Sequence, residues 1–445
     1  MVCYIIIVII EKRGLVVKKR FFRAFLSVLA VICLTALFTS CQRQTTTGTN
    51  NSSISGNENS SVSEIPQKEA VFVKNQLRGM WFSYYEIGDM YKSKDGFAAS
   101  FEKALDKCLA YGINNIYVHV RSHCDAYYKS AIFPWSAYLT DTQGADPQID
   151  PLQIMIELAH RKRIKIHAWI NPYRVSLIST DLSLLADNNP AKIWLTDDDT
   201  ANDTFVVECN GGLYLNPAEV AVQHLVAEGV REIVQNYSVD GIHFDDYFYP
   251  TNDEAFDEAH YATYRTQVSS NPLELADWRR ANVNAMVNTV YNAVKNINPH
   301  CVFGISPMAS VENNYHTVYA DIKAWLKGGY IDYVMPQLYF GFEYPQESSR
   351  FDNLLNEWCA LFENYNAHLY IGLGAYRIGS TDEDNIEWSQ HSDILSRQAE
   401  LINKTDGVSG WVMYSYSSFF AEQEANSLER DNFYKVIKST ENNGE

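Results

Sequence analysis

The chain has 445 residues, of which 46% are hydrophobic and 20% are charged, a composition typical of a folded globular protein. Its formal net charge is −18, and because residues 1–41 carry a net charge of +5, the remaining residues carry −23. An acidic body of this kind repels phosphate groups and anionic bilayers, so nucleic acid is excluded as an expected partner.

The N-terminus has the layout of a bacterial export signal. A basic run at 18–23 precedes an apolar stretch at 24–38, and two small residues lead into Cys41. Because the last five residues before and including Cys41 are similar to the site where bacterial lipoproteins are cleaved and acylated, we predict that 1–41 is a signal peptide and that Cys41 carries a lipid. The protein is then exported and anchored at the cell envelope, on an outer membrane or on the outer face of the plasma membrane. An uncleaved signal anchor is the alternative, although the apolar run is short for a spanning helix of about 20 residues.

Residues 42–68 are predicted to be a disordered linker, because a tract rich in Thr, Asn, Ser and Gly has too little apolar surface to fold. The folded domain then spans 69–440. Beyond the signal the cysteines are odd in number and scattered, without a CxxC pair, so we expect neither a zinc knuckle nor a disulfide framework. They are Cys108, Cys124, Cys209, Cys301 and Cys359. No metal and no cofactor are expected.

From residue 77 onward, short apolar strands alternate with amphipathic helical stretches, which is the pattern of parallel βα units. Eight rounds predict a closed (β/α)8 TIM barrel of the α/β class. The predicted strands are 78–83, 115–121, 164–171, 241–245, 302–306, 333–339, 368–372 and 410–414. The predicted helices are 97–111, 151–163, 218–236, 277–296, 319–327, 351–366 and 389–403. Long βα loops follow strand three (171–217) and strand four (248–276), where they are expected to form cleft walls.

Strand alternation predicts which side chains face the barrel interior, since the side that faces the helices must be apolar. At the carboxyl ends of strands two, three, four and six, the inward side chains are Arg121, Asn171, Asp245 and Gln337, with Tyr339 at the same rim. Polar groups gathered at this rim are what a barrel active site requires. A candidate site is therefore expected around Asp245.

Three inward histidines, His119, His167 and His243, are predicted to form a layer below this rim. Zinc hydrolases use sets of three histidines with an open fourth position, so a metal-dependent hydrolase or deacetylase is one alternative. The interpretation we prefer is that these imidazoles hydrogen-bond to rim residues and fix Asp245 in place.

Five motifs, in order along the chain, resemble those of the glycosyl hydrolase-like family 10 proteins, many of which are lipoproteins. They are RGMW at 78–81, WINPY at 169–173, DGIHFDDYFYP at 240–250, GISP at 304–307 and DYVMPQLY at 332–339. The resemblance runs from about residue 77 to about residue 420. It implies a barrel hydrolase that acts on glycans, with relatives that act on peptidoglycan strands stripped of their peptides.

Cleavage of a glycosidic bond needs a carboxylic acid that protonates the leaving oxygen, and a second carboxylate that attacks, activates water or steadies positive charge. Asp245 is expected to be the ionised carboxylate, with a pKa kept low by Arg121 across the rim. Asp246 and Glu343 are the candidates for the acid, and the apolar rings beside Glu343 are expected to raise its pKa. Glu86, after strand one, is a weaker rival.

The substrate-binding residues are expected around the same rim. They are predicted to be Arg121, His123, Asn171, Tyr173, Arg174, Tyr247, Gln337 and Tyr339. The tyrosines are expected to pack against sugar rings, and the two arginines are expected to hold a carboxylate such as the lactyl group of muramic acid.

The sequence thus predicts a glycoside hydrolase that cleaves a cell-envelope or extracellular polysaccharide, with peptide-free peptidoglycan strands as a candidate substrate. The expected partners are this glycan and, through the lipid on Cys41, a membrane. Two alternatives stay open: a lipoprotein that binds glycan without cleaving it, and the metal-dependent hydrolase built on the three histidines.

Overall fold

The computed structural model describes residues 76–268 and 270–441. The predicted signal peptide, its lipidated Cys41 and the linker lie outside the described residues. In the described ranges, no helix is both long enough and apolar enough to cross a bilayer.

The described chain forms a closed barrel of eight parallel strands, as predicted. In chain order, the strands are β1 (Leu77–Phe82), β2 (Asn115–Arg121), β3 (Lys165–Ile170), β4 (Arg174–Ser176), β5 (Val206–Cys209), β6 (Gly212–Leu215), β7 (Gly241–Phe244), β8 (Val302–Ile305), β9 (Tyr333–Val334), β10 (His368–Gly374) and β11 (Val408–Tyr414). The barrel order is β1-β2-β3-β7-β8-β9-β10-β11, with β11 closing onto β1. Strands β4, β6 and β5 form a separate antiparallel sheet.

Helices follow most barrel strands and surround the barrel. Within the described ranges they are Tyr84–Tyr91, Phe97–Leu109, Ala137–Thr140, Pro151–Arg161, Pro190–Thr196, Val220–Asn236, Glu258–Gln267, Leu275–Ile297, Val311–Thr317, Ile322–Gly328, Phe351–Phe362, Glu387–Gln390, Ile394–Lys404, Tyr416–Phe419 and Glu424–Glu441. Short 3₁₀ turns lie at Leu182–Leu184, Asp203–Phe205, Glu254–Phe256, Glu347–Ser349, Ala375–Arg377 and Glu383–Asn385. Each of the seven predicted helices overlaps an observed one.

Local chemistry fixes several of these boundaries. The Asp150 side chain accepts a hydrogen bond from the Gln153 N–H at 3.2 Å, and Pro151 stands in the first turn, so a helix begins there. Gly329 has a φ of 68°, a left-handed conformation that costs glycine little, and it ends the helix Ile322–Gly328.

The inward and outward sides of the strands divide the core in two. Outward side chains pack against the helices in one large cluster. Inward side chains form a second cluster that fills the barrel: Trp81, Tyr117, Trp169, Tyr333, Met335 and Val412. The alternation predicted for strands two, three and six is confirmed at Tyr117, Trp169 and Met335.

Strand β9 is shorter than the predicted strand 333–339. Pro336 has no N–H to donate to a ladder, so regular pairing stops before it. Contact with the neighbouring strands resumes at Gln337, through isolated bridges to Met308 and Gly372.

The two long connections carry structure of their own. The connection after β3 contains the antiparallel sheet β4-β6-β5 and the helix Pro190–Thr196. The connection after β7 contains the helix Glu258–Gln267, which buries none of its residues. Neither secondary structure was predicted, because strands of three or four residues and a polar helix show no clear hydrophobic period.

A buried ion pair ties the second connection to the helix Leu275–Ile297. Arg279 and Asp257 have side chains that are 0% exposed, and Arg279 Nε donates to both carboxylate oxygens of Asp257 at 3.1 Å. The same guanidinium donates to the Tyr319 hydroxyl at 3.0 Å and to the Asp253 carbonyl at 2.7 Å. The loop that leaves the end of β7 is therefore held against the helix Leu275–Ile297.

Replacing Arg279 is expected to destabilise the fold strongly. Arg279→Met leaves the Asp257 carboxylate buried without its cation, which should lower the free energy of unfolding by about 3–5 kcal/mol. Urea unfolding followed by circular dichroism measures this change. As a control, Lys92→Met removes an exposed ion pair with Asp141 and should cost about 0–1 kcal/mol. Similar losses in the two variants would contradict the importance assigned to the buried pair.

Candidate active site

Asp245 lies directly after β7, at the carboxyl end of the barrel, and three N–H groups hold its carboxyl. Trp169 Nε1 donates to Oδ2 at 3.1 Å, and Asn171 Nδ2 lies 3.2 Å from Oδ1 and 3.3 Å from Oδ2. The Tyr247 backbone N–H donates to Oδ1 at 3.4 Å. Trp169 and Asn171 reach Asp245 because β3 and β7 are neighbours in the barrel. The inward position predicted for Asp245 and Asn171 is confirmed.

The electrostatic state of Asp245 differs from the expected one. Burial raises the pKa of Asp245 from 3.8 to about 7, Asp246 adds to the rise, and the Arg174 cation and the N–H donors oppose it. Asp245 is only 3% exposed, so loss of hydration outweighs the stabilising contacts. The prediction of a low pKa is therefore wrong, and this carboxyl titrates near neutral pH.

Arg121 does not lie beside Asp245, which corrects the sequence prediction. The pairing of β2 with β3 shifts between His119 and Arg121, so Arg121 stands opposite Ile170, an outward-facing residue. Its guanidinium packs over the Phe133 ring at 4.6 Å. A one-residue irregularity in the strand has thus moved the side chain from the interior to the helix side of the wall.

Gly229 provides the space that Arg121 occupies on that side. A Cβ at Gly229 would stand 2.1 Å from Arg121 Nη1, so a side chain there would displace the guanidinium. Arg121 is consequently enclosed between the barrel and the helix Val220–Asn236, and it cannot contact a substrate at the rim.

Arg174 is the cation that stands near Asp245. It is 5% exposed, and its guanidinium lies 4.3 Å from the centre of the Tyr247 ring. Asn171 accepts the Arg174 backbone N–H at 2.9 Å through Oδ1 while it donates to Asp245 through Nδ2, so one amide positions both groups. Tyr247 is 44% exposed and keeps part of its ring open to solvent.

Asp246 follows Asp245 at the mouth of the barrel and is 9% exposed. Within the described residues, its carboxyl oxygens have no hydrogen-bond partner. Burial first, then neighbouring phenols and the Asp246 charge, raise the pKa of Tyr339 well above its usual value. The Asp246 charge therefore lies near Tyr339 at the mouth of the barrel.

Glu343 is exposed on the loop after β9, where the sequence predicted an apolar environment. Its backbone N–H donates to Glu387 Oε2 at 2.9 Å. The adjacent Phe342 ring turns away and packs on Phe351, with ring centroids 5.5 Å apart, so it does not cover the Glu343 carboxyl. The prediction that flanking rings enclose Glu343 is wrong.

Glu86 is buried and has a structural role. It accepts the Ser83 N–H at 2.6 Å in the capping box of the helix Tyr84–Tyr91. Its other oxygen accepts the Ser415 hydroxyl at 2.9 Å and the backbone N–H of Ser417. Both oxygens are therefore engaged in joining the ends of β1 and β11, which gives Glu86 a structural role.

Tyr173 is 0% exposed and belongs to the main core, so it cannot be the sugar platform that was predicted. The chain reverses after β3, and the Tyr173 carbonyl accepts the Leu215 N–H at 2.7 Å. This contact holds the sheet of the first long connection against the chain that follows β3.

Tyr339 and Gln337 lie at the mouth, as predicted. Tyr339 is 7% exposed and stacks on Tyr414 with ring centroids 5.7 Å apart. Gln337 Nε2 donates to the Ser306 carbonyl at 3.0 Å. Their contacts with a substrate remain predictions.

His123 packs beside the Arg174 side of the mouth. Its ring lies edge-on to Tyr84 at 5.1 Å, and Nδ1 is 2.9 Å from the Ser122 hydroxyl. Burial first, and then the Arg174 charge, lower the pKa of His123 well below 6.5. The imidazole is thus neutral at neutral pH and can act only as an uncharged hydrogen-bonding group.

Two residues of the site were not predicted as site residues. Trp169 holds Asp245, and its inward direction on strand three was the signal that could have identified it. Tyr376 is 39% exposed and lies edge-on to Tyr339 at 5.6 Å and to Tyr414 at 6.0 Å. It lies in a turn after β10, where strand alternation gives no information.

The three inward histidines do not form one layer. His119 and His243 are both level with Trp169, whereas His167 is two residues deeper, level with Gly241. The His119 ring stacks on Trp169 at 3.9 Å, and His243 Nε2 accepts the Trp81 indole N–H at 3.2 Å. Among the described residues, no three His, Cys, Asp or Glu side chains are placed to hold a metal ion together.

Comparison with known proteins matches this chain to one family model, "Glycosyl hydrolase-like 10", over residues 76–390. "Glycosyl hydrolase YngK" of Bacillus subtilis is 34% identical over 355 residues, which is 74% of this chain and 66% of that protein. The chain therefore spans about two thirds of the length of this relative. "Glycosyl hydrolase DigH" of Escherichia coli K12 is 31% identical over 336 residues, 70% of this chain and 73% of that protein.

Solved structures resemble the chain in fold. The glycoside hydrolase domain of PgaB (BpsB) from Bordetella bronchiseptica has a TM-score of 0.55 and 13% identity, over 80% of this chain and 99% of that domain. An α-L-fucosidase of Paenibacillus thiaminolyticus has a TM-score of 0.52 and 13% identity, over 82% of this chain and 50% of that enzyme. At this identity the likeness concerns the fold alone.

Removing the Asp245 carboxyl should remove a pH dependence from the stability of the fold. A carboxyl with a raised pKa contributes stability below its unfolded pKa, and this contribution is lost as the pH rises through about 7. The free energy of unfolding of the wild type should therefore fall, relative to Asp245→Asn, by on the order of 2–4 kcal/mol between pH 4 and pH 8. Chemical denaturation at several pH values measures the difference. The exposed-site control Asp141→Asn should show no such trend, and a constant difference for Asp245→Asn would refute the raised pKa.

Proposed function

The chain belongs to the glycosyl hydrolase-like 10 family, which places it among the glycoside hydrolases, and from that premise we propose that it cleaves glycosidic bonds in a cell-envelope or extracellular polysaccharide. Peptide-free peptidoglycan strands are the substrate that we propose first. The observation that carries the proposal is the pair of adjacent carboxyls, Asp245 and Asp246, at the carboxyl end of the barrel, one of them with a pKa near neutrality.

Asp245 is the proton donor in this proposal. Its pKa of about 7 keeps a large protonated fraction at neutral pH, which a general acid needs. The donors on Trp169 and Asn171 fix the orientation of the carboxyl, so its proton is presented in one direction. When the glycosidic C–O bond breaks, the proton passes from Asp245 to the leaving oxygen, water adds its hydroxyl to the anomeric carbon, and the second proton of that water restores the acid through solvent.

Asp246 supplies the negative charge that the reaction also requires. Its oxygens are not engaged by the described residues, so they are available to a water molecule or to the positive charge that develops on the sugar. The roles expected from the sequence are thereby exchanged, because Asp245 is the more deeply buried of the two.

The surroundings of the pair suit a carbohydrate. Tyr247 and Tyr376 are the partly exposed rings near the mouth, at 44% and 39% exposure, and sugar C–H faces pack well on such rings. Export and lipid anchoring at Cys41 belong to the same proposal, because they would place the enzyme next to an envelope polysaccharide.

Purified enzyme should release soluble fragments from peptide-free peptidoglycan strands, as detected by mass spectrometry. Asp245→Asn and Asp246→Asn should each lower kcat by about 10²–10⁴-fold, since each removes one of the two carboxyls. Glu343→Gln is the matched control, because that carboxyl is exposed and lies on a different loop. Wild-type protein that binds the strands and releases no fragment would favour the glycan-binding alternative over the hydrolase.

The pH dependence tests the assignment of the acid. If Asp245 must be protonated, kcat should fall as the pH rises through about 7. Arg174 lowers the pKa of Asp245, so Arg174→Gln should move this basic limb to higher pH. Arg377→Gln removes a cation that stacks on Tyr376 and should leave the limb where it is. An unmoved limb in Arg174→Gln would show that another group is the acid.

A further inference from the structure

Arg174 is a buried cation without a carboxylate partner. The residue is 5% exposed, and in the described part of the chain its side chain makes neither an ion pair nor a hydrogen bond. Its Nε is enclosed and unpaired. Buried charges are normally paired, so a group in this state requires a reason.

Other buried arginines show what a structural role looks like. Arg279 is joined to Asp257 and also bonds to Tyr319. Arg121 lacks an ion pair, but it is enclosed against Phe133 and away from the mouth. Arg174 differs from both because it lies at the mouth, beneath the exposed ring of Tyr247.

Burial lowers the pKa of Arg174, and the phenols and the carboxyl around it raise that pKa by more, so the guanidinium stays charged. Tyr84, Tyr214 and Tyr247 are the phenols that interact with its charge, and His123 is an uncharged imidazole. Asp245 is the carboxyl that interacts with the Arg174 charge. It lies beyond ion-pair distance, and it is partly protonated at neutral pH. Arg174 is therefore a charged guanidinium that has no ion-pair partner among the described residues.

We propose that Arg174 determines specificity by binding a carboxylate on the sugar at the mouth of the barrel. The inference rests on the proposed glycan substrate and narrows it to sugars that bear a carboxylate. A sugar that packs on the exposed part of Tyr247 brings its substituents close to a guanidinium 4.3 Å from the ring centre. The planar guanidinium matches the two oxygens of a carboxylate.

The charge balance favours a carboxylate over a phosphate. A single unpaired cation matches one negative charge. A phosphate monoester carries up to two negative charges, which would be repelled by Asp245 and Asp246. The body of the protein also carries −23, which adds to the repulsion of a multiply charged group.

Matched substrates test the inference directly. One is a peptide-free peptidoglycan strand with free lactyl carboxylates, and the other is the same strand after methyl esterification, which removes only the charge. For the wild type, kcat/KM should be about 10- to 100-fold higher on the free carboxylate, the usual value of a hydrogen bond to a charged group. In Arg174→Gln this ratio should approach one, and Arg174→Lys should restore part of it.

Arg377→Gln is the matched control, since Arg377 is also stacked on a tyrosine at the mouth but already donates to the Tyr339 carbonyl. It should keep the wild-type ratio. Equal cleavage of both strands by the wild type would overturn the role of Arg174 while leaving the hydrolase proposal intact.

Binding to the Asp245→Asn variant, measured by isothermal titration calorimetry, separates recognition from catalysis. Tighter binding of the free-carboxylate strand, lost on adding Arg174→Gln, supports the inference even if the wild type releases no fragments, a result that would reject only the hydrolase. Equal binding of the two strands, or binding of neither, overturns the inference.

Discussion

The burial of one carboxyl, Asp245, is the constraint on which the rest of the site depends. An ionised carboxyl that is taken out of water loses several kcal/mol of hydration free energy. N–H donors and a nearby cation in the protein compensate for only part of this loss. Trp169, Asn171 and the Tyr247 backbone supply the donors, and Arg174 supplies the cation. The residual imbalance appears as a pKa of about 7, which is the property that makes this group useful for proton transfer.

The barrel architecture follows from the sequence because its signals are local and periodic. The alternation of apolar residues gives the strands, and the inward direction of Trp169, His243 and Asp245 follows from the same period. The alternation does not predict the direction of Arg121, because a register shift of one residue in β2 reverses the side on which its side chain lies. Such a shift depends on the neighbouring strand and on the space at Gly229, neither of which a single strand reveals.

Loop residues were the less predictable part of the site for a similar reason. Glu343 and Tyr173 were interpreted from their neighbours in sequence, yet their exposure is decided by contacts distant along the chain. Phe342 is drawn to Phe351, and the Tyr173 carbonyl is bound by Leu215. By contrast, Asn171 and Asp245 stand at strand ends, where the fold fixes direction, and they were placed correctly.

The rings that fill the barrel have a consequence for how the proposed polysaccharide substrate can approach the site. Trp81, Tyr117, Trp169 and Tyr333 close the interior from wall to wall, so no passage joins the two ends of the barrel. A polysaccharide of the kind proposed as substrate therefore cannot be threaded along the axis. It must be laid across one opening, and both halves of a severed chain must leave by the side from which the intact chain arrived.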